Sequence, residues 1–271
     1  MFLAEQFTSH SHAEQPDCVN AMSEVIHITT YNIHKGFSQF NQRMVLHELK
    51  EELRRVHTDV AFLQEVLGEH QTHAQSHRNW PAQSQYEFLA DSIWSDYAYG
   101  KNAVYPEGHH GNAVLSRFPI VKWENIDISA HALESRGLLH CEIAIPGWQD
   151  PLHCVNVHLG LGQRGRNKQI AAIRDRIQSV VPNHAPLIIA GDFNDWRRTA
   201  GDFLARTLHV QEVFEHLHGK PAKSYPASLP LLSLDRIYFR GLKVKGAQVY
   251  HGRPWSRISD HAVLTATMSR V

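Results

Sequence analysis

PLIIAGDFND (residues 186–195) places a short apolar run before a glycine, two aspartates and an asparagine. The run is rich in β-forming residues and ends in residues that favour turns, so it reads as a buried strand. If the strand geometry continues past Gly191, Asp192 and Asn194 point to the same side. An acid beside an amide orients and deprotonates a water while hydrogen-bonding a phosphoryl oxygen. The dipeptides GD and ND also make ordinary turns, so this cluster taken alone does not decide between chemistry and chain reversal.

Moving outward, the same pattern recurs. VIHITTYNI (25–33), DVAFLQEV (59–66), GNAVLSRFPI (111–120), GLLHCEIAI (137–145), LHCVNVHLG (152–160), LSLDRIYFR (232–240) and AVLTATM (262–268) read as strands. Residues 44–55 carry Val45, Leu46, Leu49 and Leu53 at helical spacing, and residues 167–181 carry Ile170, Ile173 and Ile177 on one helical face. Strands and helices alternate without linker, repeat or low-complexity stretch. The expected architecture is α/β, two β-sheets packed face to face with helices outside. Residues 1–24 read as a flexible leader without a signal peptide, with Met22 as an alternative start, and residues 25–271 as one domain.

Composition narrows the function classes. The 271 residues hold 27 Lys+Arg against 27 Asp+Glu, a formal net charge of zero. That balance weakens a role in gripping long duplex DNA through many phosphates. Three cysteines without CxxC spacing argue against a disulfide framework and for a reducing, cytoplasmic setting. No apolar run reaches the roughly 18 residues of a membrane span. A monomer is expected.

The polar clusters all follow apolar β-like runs. SDH (259–261) sets Asp260, a hard oxygen ligand suited to Mg²⁺ or Mn²⁺, beside His261, suited to proton transfer or to a phosphate contact. LDR (234–236) puts Asp235 inside an apolar strand, where a carboxylate is costly unless paired; orienting a histidine or bridging to Arg236 would pair it. LQEV (63–66) ends on Glu65, TYNIHKG (30–36) contributes Asn32, His34 and Lys35, and NVHLG (156–160) contributes His158.

The series N…QE…HLG…GDFND…LDRIY…SDH, in this order, closely resembles the endonuclease/exonuclease/phosphatase superfamily, which includes DNase I-like nucleases, exonuclease III-like repair enzymes, neutral sphingomyelinases and inositol phosphatases. The resemblance runs from about Ile26 to Met268, and TYNIHKG together with NAVYPEGHHGNAVLSR resembles a subgroup of small bacterial members. It implies a four-layer α/β sandwich and a divalent-metal-dependent phosphoester hydrolase. It further implies Asn32 and Glu65 at the first-metal positions with Asp260 near the metal. Asp192 and Asn194 match the pair that activates water and holds phosphate, His261 the phosphate-contacting histidine, and Asp235 the carboxylate that orients it. His158 stands where DNase I-like members have His, and Arg136 matches a phosphate-binding arginine. One departure is His34, where abasic-site nucleases carry an aspartate two residues after the first asparagine; the expectation is either one metal held more loosely or a ligand or phosphate-contact role for His34.

Substrate is less legible. His109, His110 and Asn112 occupy a glycine-flanked stretch that could touch phosphate, or be a plain polar loop. Arg164, Arg166 and Lys168 form a basic loop able to meet a nucleic-acid backbone or an anionic lipid headgroup, or else a solvated helix start. YPASLPLLSL (225–234) with Trp255 could wall the site mouth and take a base or an acyl chain, or be ordinary core. The expected function is a phosphodiesterase or nuclease acting on nucleic acid. The alternatives are a phosphodiesterase or phosphatase acting on a phospholipid or small phosphoester, and an inactive binding module of the same fold.

Overall fold

A computed structural model describes residues 25–38, 43–70, 80–81 and 83–271. The leader expected over residues 1–24 lies outside them. Among the described residues, twelve strands form two six-stranded sheets. The first sheet has the order β11 (Leu242–Tyr250), β12 (Val263–Arg270), β1 (Ile26–Asn32), β2 (Val60–His70), β4 (Gly108–Ser116), β3 (Asp96–Tyr105). The second has β5 (Ile120–Asp127), β6 (Gly137–Ile143), β7 (Leu152–His158), β8 (Leu187–Asp192), β10 (Asp235–Arg240), β9 (Gln211–Glu212). Helices α1 (Leu46–Arg55) and α2 (Gln85–Ala90) cover the outer face of the first sheet, and α3 (Gln163–Val180) and α4 (Thr199–Leu208) that of the second. A short α5 (Val213–His218) adds Val213 and Phe214 to the space between the sheets. This is the expected four-layer sandwich.

Strand pleating explains the layers. Successive side chains alternate between faces, so the central strands feed two cores. Ile26, Ile28, Val60, Phe62, Cys154, Ile188, Ala190, Ile237 and Leu264 meet between the sheets. Their odd-phase neighbours Tyr31, Ala61 and Leu63 pack under α1 and α2, and Val155, Val157 and Ile189 under α3 and α4. Following the inward phase along each strand reaches a change of chemistry at one end: Asn32 on β1, Gln64 on β2, Asn156 and His158 on β7, Asp192 on β8, Asp235 on β10. The apolar inter-sheet core therefore terminates in a polar floor.

Several boundaries differ from the sequence reading. Residues 111–120 are not one strand: β4 ends at Ser116 in the first sheet and β5 begins at Ile120 in the second, so the chain changes sheet across Arg117–Pro119. Asp235 is the first residue of its strand rather than an interior one. Helix α3 starts at Gln163, so of the two readings for Arg164, Arg166 and Lys168 the helix start holds and the loop does not, with Arg164 and Lys168 exposed. Arg166 is buried and donates to the carbonyls of Gly160 and Leu161 and to the Gln163 side chain. It closes the turn after β7 and is not available to a phosphate backbone. Trp255 is buried edge-on against Tyr31, so it belongs to the core and not to the site mouth.

A β-bulge shapes the floor. Register between β2 and β4 slips between Leu63 and Val66, and Glu65 takes a left-handed φ of 56°. The carbonyls of Leu63 and Ala113 accept instead from the Asn156 amide, at 2.9 and 2.8 Å, and Asn156 Oδ1 accepts from Gln64 at 2.8 Å. One buried asparagine of the second sheet thus satisfies the broken ladder of the first. Asn156→Ala is expected to destabilise the fold by about 2–4 kcal/mol, because each buried carbonyl left unpaired costs about 1–3 kcal/mol. Urea unfolding measures this; a loss below about 0.5 kcal/mol, the scale of an ordinary surface substitution, would show that the bridge is dispensable.

Candidate active site

The floor opens into a cavity of about 460 Å³ lined by Asn32, Glu65, His110, Arg136, His158, Asp192, Asn194, Asp260 and His261, together with Lys35 and an apolar group. Nine of the twelve residues singled out from sequence thus line one cavity. Asp235 lies behind His261, while His34 and Asn112 face elsewhere. His34 turns its ring towards the Phe37 carbonyl, at 3.3 Å, and its neighbour Lys35 occupies the wall instead. Asn112 is buried and donates to the Gly137 carbonyl at 3.2 Å, tying β4 to β6. His109 contacts the Tyr99 hydroxyl at 2.9 Å.

Cross-strand register assembles the centre. His158, Asp192 and Asp235 sit opposite one another on β7, β8 and β10. The close approach needs Gly191: its φ is +144°, and a Cβ there would lie 1.9 Å from the Val157 carbonyl oxygen. Beyond Asp192 the strand stops. Asn194 has φ 50°, its N–H donates to Asp192 Oδ1 at 2.9 Å, and its amide donates to the Leu159 carbonyl at 2.9 Å. Asn194 therefore reaches the cavity by a tight turn and not by strand alternation.

Asp192 Oδ2 is the hub. Asn32 Nδ2 donates to it at 3.2 Å, His158 Nε2 lies 3.5 Å away and His261 Nε2 3.7 Å away. On its far side His261 Nδ1 meets Asp235 Oδ2 at 2.8 Å. Ser259 fixes the SDH turn by donating to the Asn32 carbonyl at 2.7 Å and accepting from the His261 N–H at 3.2 Å. Ser224 accepts from the backbone N–H of Asp235 at 3.1 Å. These two serines and Asn156 hold the site without lining it; the inward phase they share or adjoin is the signal that a reading focused on charged residues passes over.

Electrostatics divides the three imidazoles. Burial opposes charge on His261, but Asp235 and then Asp192 outweigh it and hold its pKa up at about 10. Burial, reinforced by the Arg136 charge, keeps His158 well below the usual histidine range, and burial with Lys35 lowers His110 to about 4. His158 near Asp192 is thus a neutral ring and not half of an ion pair. Burial pushes Asp192 up to about 6, against the pull of the His261 charge. The cavity wall carries three cations, Lys35, Arg136 and protonated His261, arranged around a carboxylate poised near neutrality.

A divalent cation fits one part of this wall better than another. Asp192, Asp235 and His261 offer ligand atoms within 4.8 Å of one another. His261, however, has its Nδ1 on Asp235 and its Nε2 facing Asp192, and the two acids hold the ring charged, so here it pairs with them as a cation itself. Glu65 and Asp260 bring carboxylates to the cavity, with the Asn32 amide 3.3 Å from Glu65 Oε1. One or two carboxylates beside space for water is the donor set that Mg²⁺ or Mn²⁺ takes.

An unfolded histidine titrates near 6.5. The folded value of His261 is higher, so the stability contributed by this ring is full below 6.5 and fades as pH rises towards 10. In Asp235→Asn, nuclear magnetic resonance titration is expected to find the His261 pKa lowered by more than one unit, with that high-pH slope in stability flattened. An unchanged pKa would remove Asp235 as the holder of the charge.

Residues 29–261 match the Endonuclease/Exonuclease/phosphatase family. The chain is 47% identical over 239 residues to the uncharacterized protein YbhP of Escherichia coli strain K12, covering 88% of this chain and 94% of that protein. Its fold is similar to the endonuclease/exonuclease/phosphatase from Beutenbergia cavernae, with TM-score 0.72, 18% identity and coverage of 91% of this chain and 72% of that one. The catalytic domain of human Nocturnin with bound sulfate anion is similar at TM-score 0.71 and 19% identity, covering 92% of this chain and 95% of that one. The extent of the family match, together with the YbhP relationship, places this chain in the Endonuclease/Exonuclease/phosphatase family.

Proposed function

We propose that the chain is a divalent-metal-dependent phosphodiesterase in which Asp192 activates water and the His261–Asp235 pair binds the phosphoryl group. The observation that carries this reading is the pairing of opposite protonation states across 3.7 Å: a charged His261 held by Asp235, facing an Asp192 with a pKa of about 6. Near pH 7 Asp192 is mostly a carboxylate yet basic enough to accept a proton, as a general base must be. Asn32 and the Asn194 N–H fix its two oxygens.

Each remaining group has a matching task. His261, Arg136 and Lys35 present positive charge to the phosphoryl oxygens as donors set in place before the substrate arrives. Neutral His158 can donate its one ring N–H to the same oxygens. Glu65, with Asn32 and Asp260, would hold Mg²⁺ or Mn²⁺, whose charge would neutralise the phosphoryl and leaving-group oxygens.

The mouth of the cavity supports a substrate with an apolar or aromatic group on the phosphate. Leu161, Trp196 and Leu232 line it and are 68, 46 and 41% exposed. Backbone bonds from Leu231 and Leu232 to the Tyr225 carbonyl curl the adjacent loop and leave Leu229 and Leu231 in solvent. Arg166, turned inward, lies 5.2 Å from the Trp196 ring and supports this wall. Together with the neutral net charge, this favours a lipid-like or aryl phosphodiester over long nucleic acid.

Hydrolysis of bis-p-nitrophenyl phosphate, a phospholipid in mixed micelles and a DNA oligonucleotide, each with Mn²⁺ and with EDTA, tests the proposal. Turnover of the first two is expected, abolished by EDTA, and lowered about 10²–10⁴-fold in Asp192→Asn without loss of folding. Turnover that survives EDTA, or a fully active Asp192→Asn, would overturn it; cleavage of DNA alone would overturn the substrate class.

A further inference from the structure

A second cluster of ligating side chains lies on the opposite face of the second sheet. Strand β7 carries His158 inward at its end and, five residues earlier, His153 outward. The outward layer here is apolar, with Leu138, Val155, Ile173 and Ile177 closing it under α3. Two imidazoles, His140 on β6 and His153 on β7, are buried at its edge, 4 and 3% exposed. Burying polar rings in such a layer is costly unless their nitrogens are used. They face each other: His140 Nε2 lies 3.0 Å from His153 Nδ1, with the rings near parallel.

Three further features surround that pair. Glu142 lies directly opposite His153 in the β6–β7 register, and its carboxylate comes within 4.8 Å of both ring ligand atoms. The other nitrogen of His140, Nδ1, meets Glu124 Oε1 at 3.3 Å. Glu124 is itself held by the forked guanidinium of Arg176 on α3, at 2.6–2.9 Å on its two oxygens. A ligating histidine whose second nitrogen is oriented by a fixed carboxylate is the usual arrangement around a bound transition metal. Two nitrogens on one tetrahedral Zn²⁺, each about 2.0–2.1 Å from it, stand about 3.3 Å apart, so the observed pair needs to open by only a few tenths of an ångström.

We propose that His140, His153 and Glu142 form a binding site for a transition-metal dication of the Zn²⁺ class, separate from the catalytic cavity. Two imidazoles and one carboxylate select Zn²⁺ or Co²⁺ over Mg²⁺, which prefers an all-oxygen shell. Glu142 is available for this: its present partner Lys122 is 68% exposed at 3.3 Å, and such surface pairs hold weakly. Since His140 and Glu142 lie on β6 and His153 on β7, the ion would clamp two neighbouring strands, and through Glu124 and Arg176 it would couple them to α3. The site does not rest on the phosphodiesterase reading.

Co²⁺ titration of the EDTA-stripped full chain, followed by its visible absorption, tests the proposal. Wild type and Glu65→Gln are expected to develop the same intense tetrahedral-type band at one equivalent. His153→Gln is expected to lose it, and Glu142→Gln, at a partly exposed position, to bind at least tenfold more weakly. Circular dichroism confirms folding of each variant, with Glu142→Gln deciding if His153→Gln is unfolded. Absence of the band in folded wild type at 100 µM Co²⁺, or its persistence at full affinity in Glu142→Gln, would overturn the site in favour of a plain hydrogen-bonded imidazole pair.

Discussion

Two carboxylates, Asp192 and Asp235, are buried side by side at the end of the inter-sheet core, and a single imidazole lies between them and carries the charge that makes this tolerable. Carboxylates placed in a protein interior are costly unless paired. His261 supplies the pairing by reaching Asp235 at 2.8 Å and Asp192 at 3.7 Å. Its own protonation is in turn sustained by both acids. Much of the surrounding structure serves this trio: Ser259 and Ser224 anchor the segments that deliver it, Gly191 lets β7 and β8 close to the required spacing, Asn32 donates to the Asp192 oxygen that faces His261, and the Asn194 N–H donates to the other.

The same constraint links fold to chemistry. A sandwich of two sheets has an apolar interior whose ends must meet solvent, and strand pleating sends every second residue there. Where the parallel pairs β1–β2 and β7–β8 end together, their inward residues become Asn32, Gln64, His158 and Asp192. The antiparallel strand β10 starts at that level with Asp235. The site is therefore the polar cap of the core. Its supporting network, with Asn156 bridging both sheets, is shared between stability and positioning.

Most of the layer arrangement was legible from sequence because alternation is a local signal, and the nine cavity residues were legible from strand-end polarity together with the family resemblance, which alone pointed to Arg136. What escaped was set by tertiary context. The continuous pattern of residues 111–120 hides the crossing from one sheet to the other, since both halves are β-forming and only Pro119 hints at the break. Glu65 reaches the cavity through a bulge and a positive φ that strict alternation does not contain. Arg166 looks like surface charge until the helix is extended back to Gln163 and the guanidinium is seen to close a turn. Asn112 and His34 belong to motifs rich in polar residues, yet their side chains satisfy backbone carbonyls at Gly137 and Phe37. Family membership reaches further than the local signals did, but suggests only phosphoester hydrolysis in general; the proposed substrate class rests on the apolar mouth formed by Leu161, Trp196 and Leu232.

In the proposed function the acid–imidazole trio and the cation site are neighbouring but distinct. Anomalous diffraction from crystals grown with Mn²⁺ and phosphate tests it most directly. The account predicts a manganese peak ligated by Glu65, with Asn32 or Asp260 adjoining, and a phosphate against His261 while the His261–Asp235 bond stays intact. A manganese peak ligated by Asp192 and Asp235, with His261 displaced from between them, would contradict it.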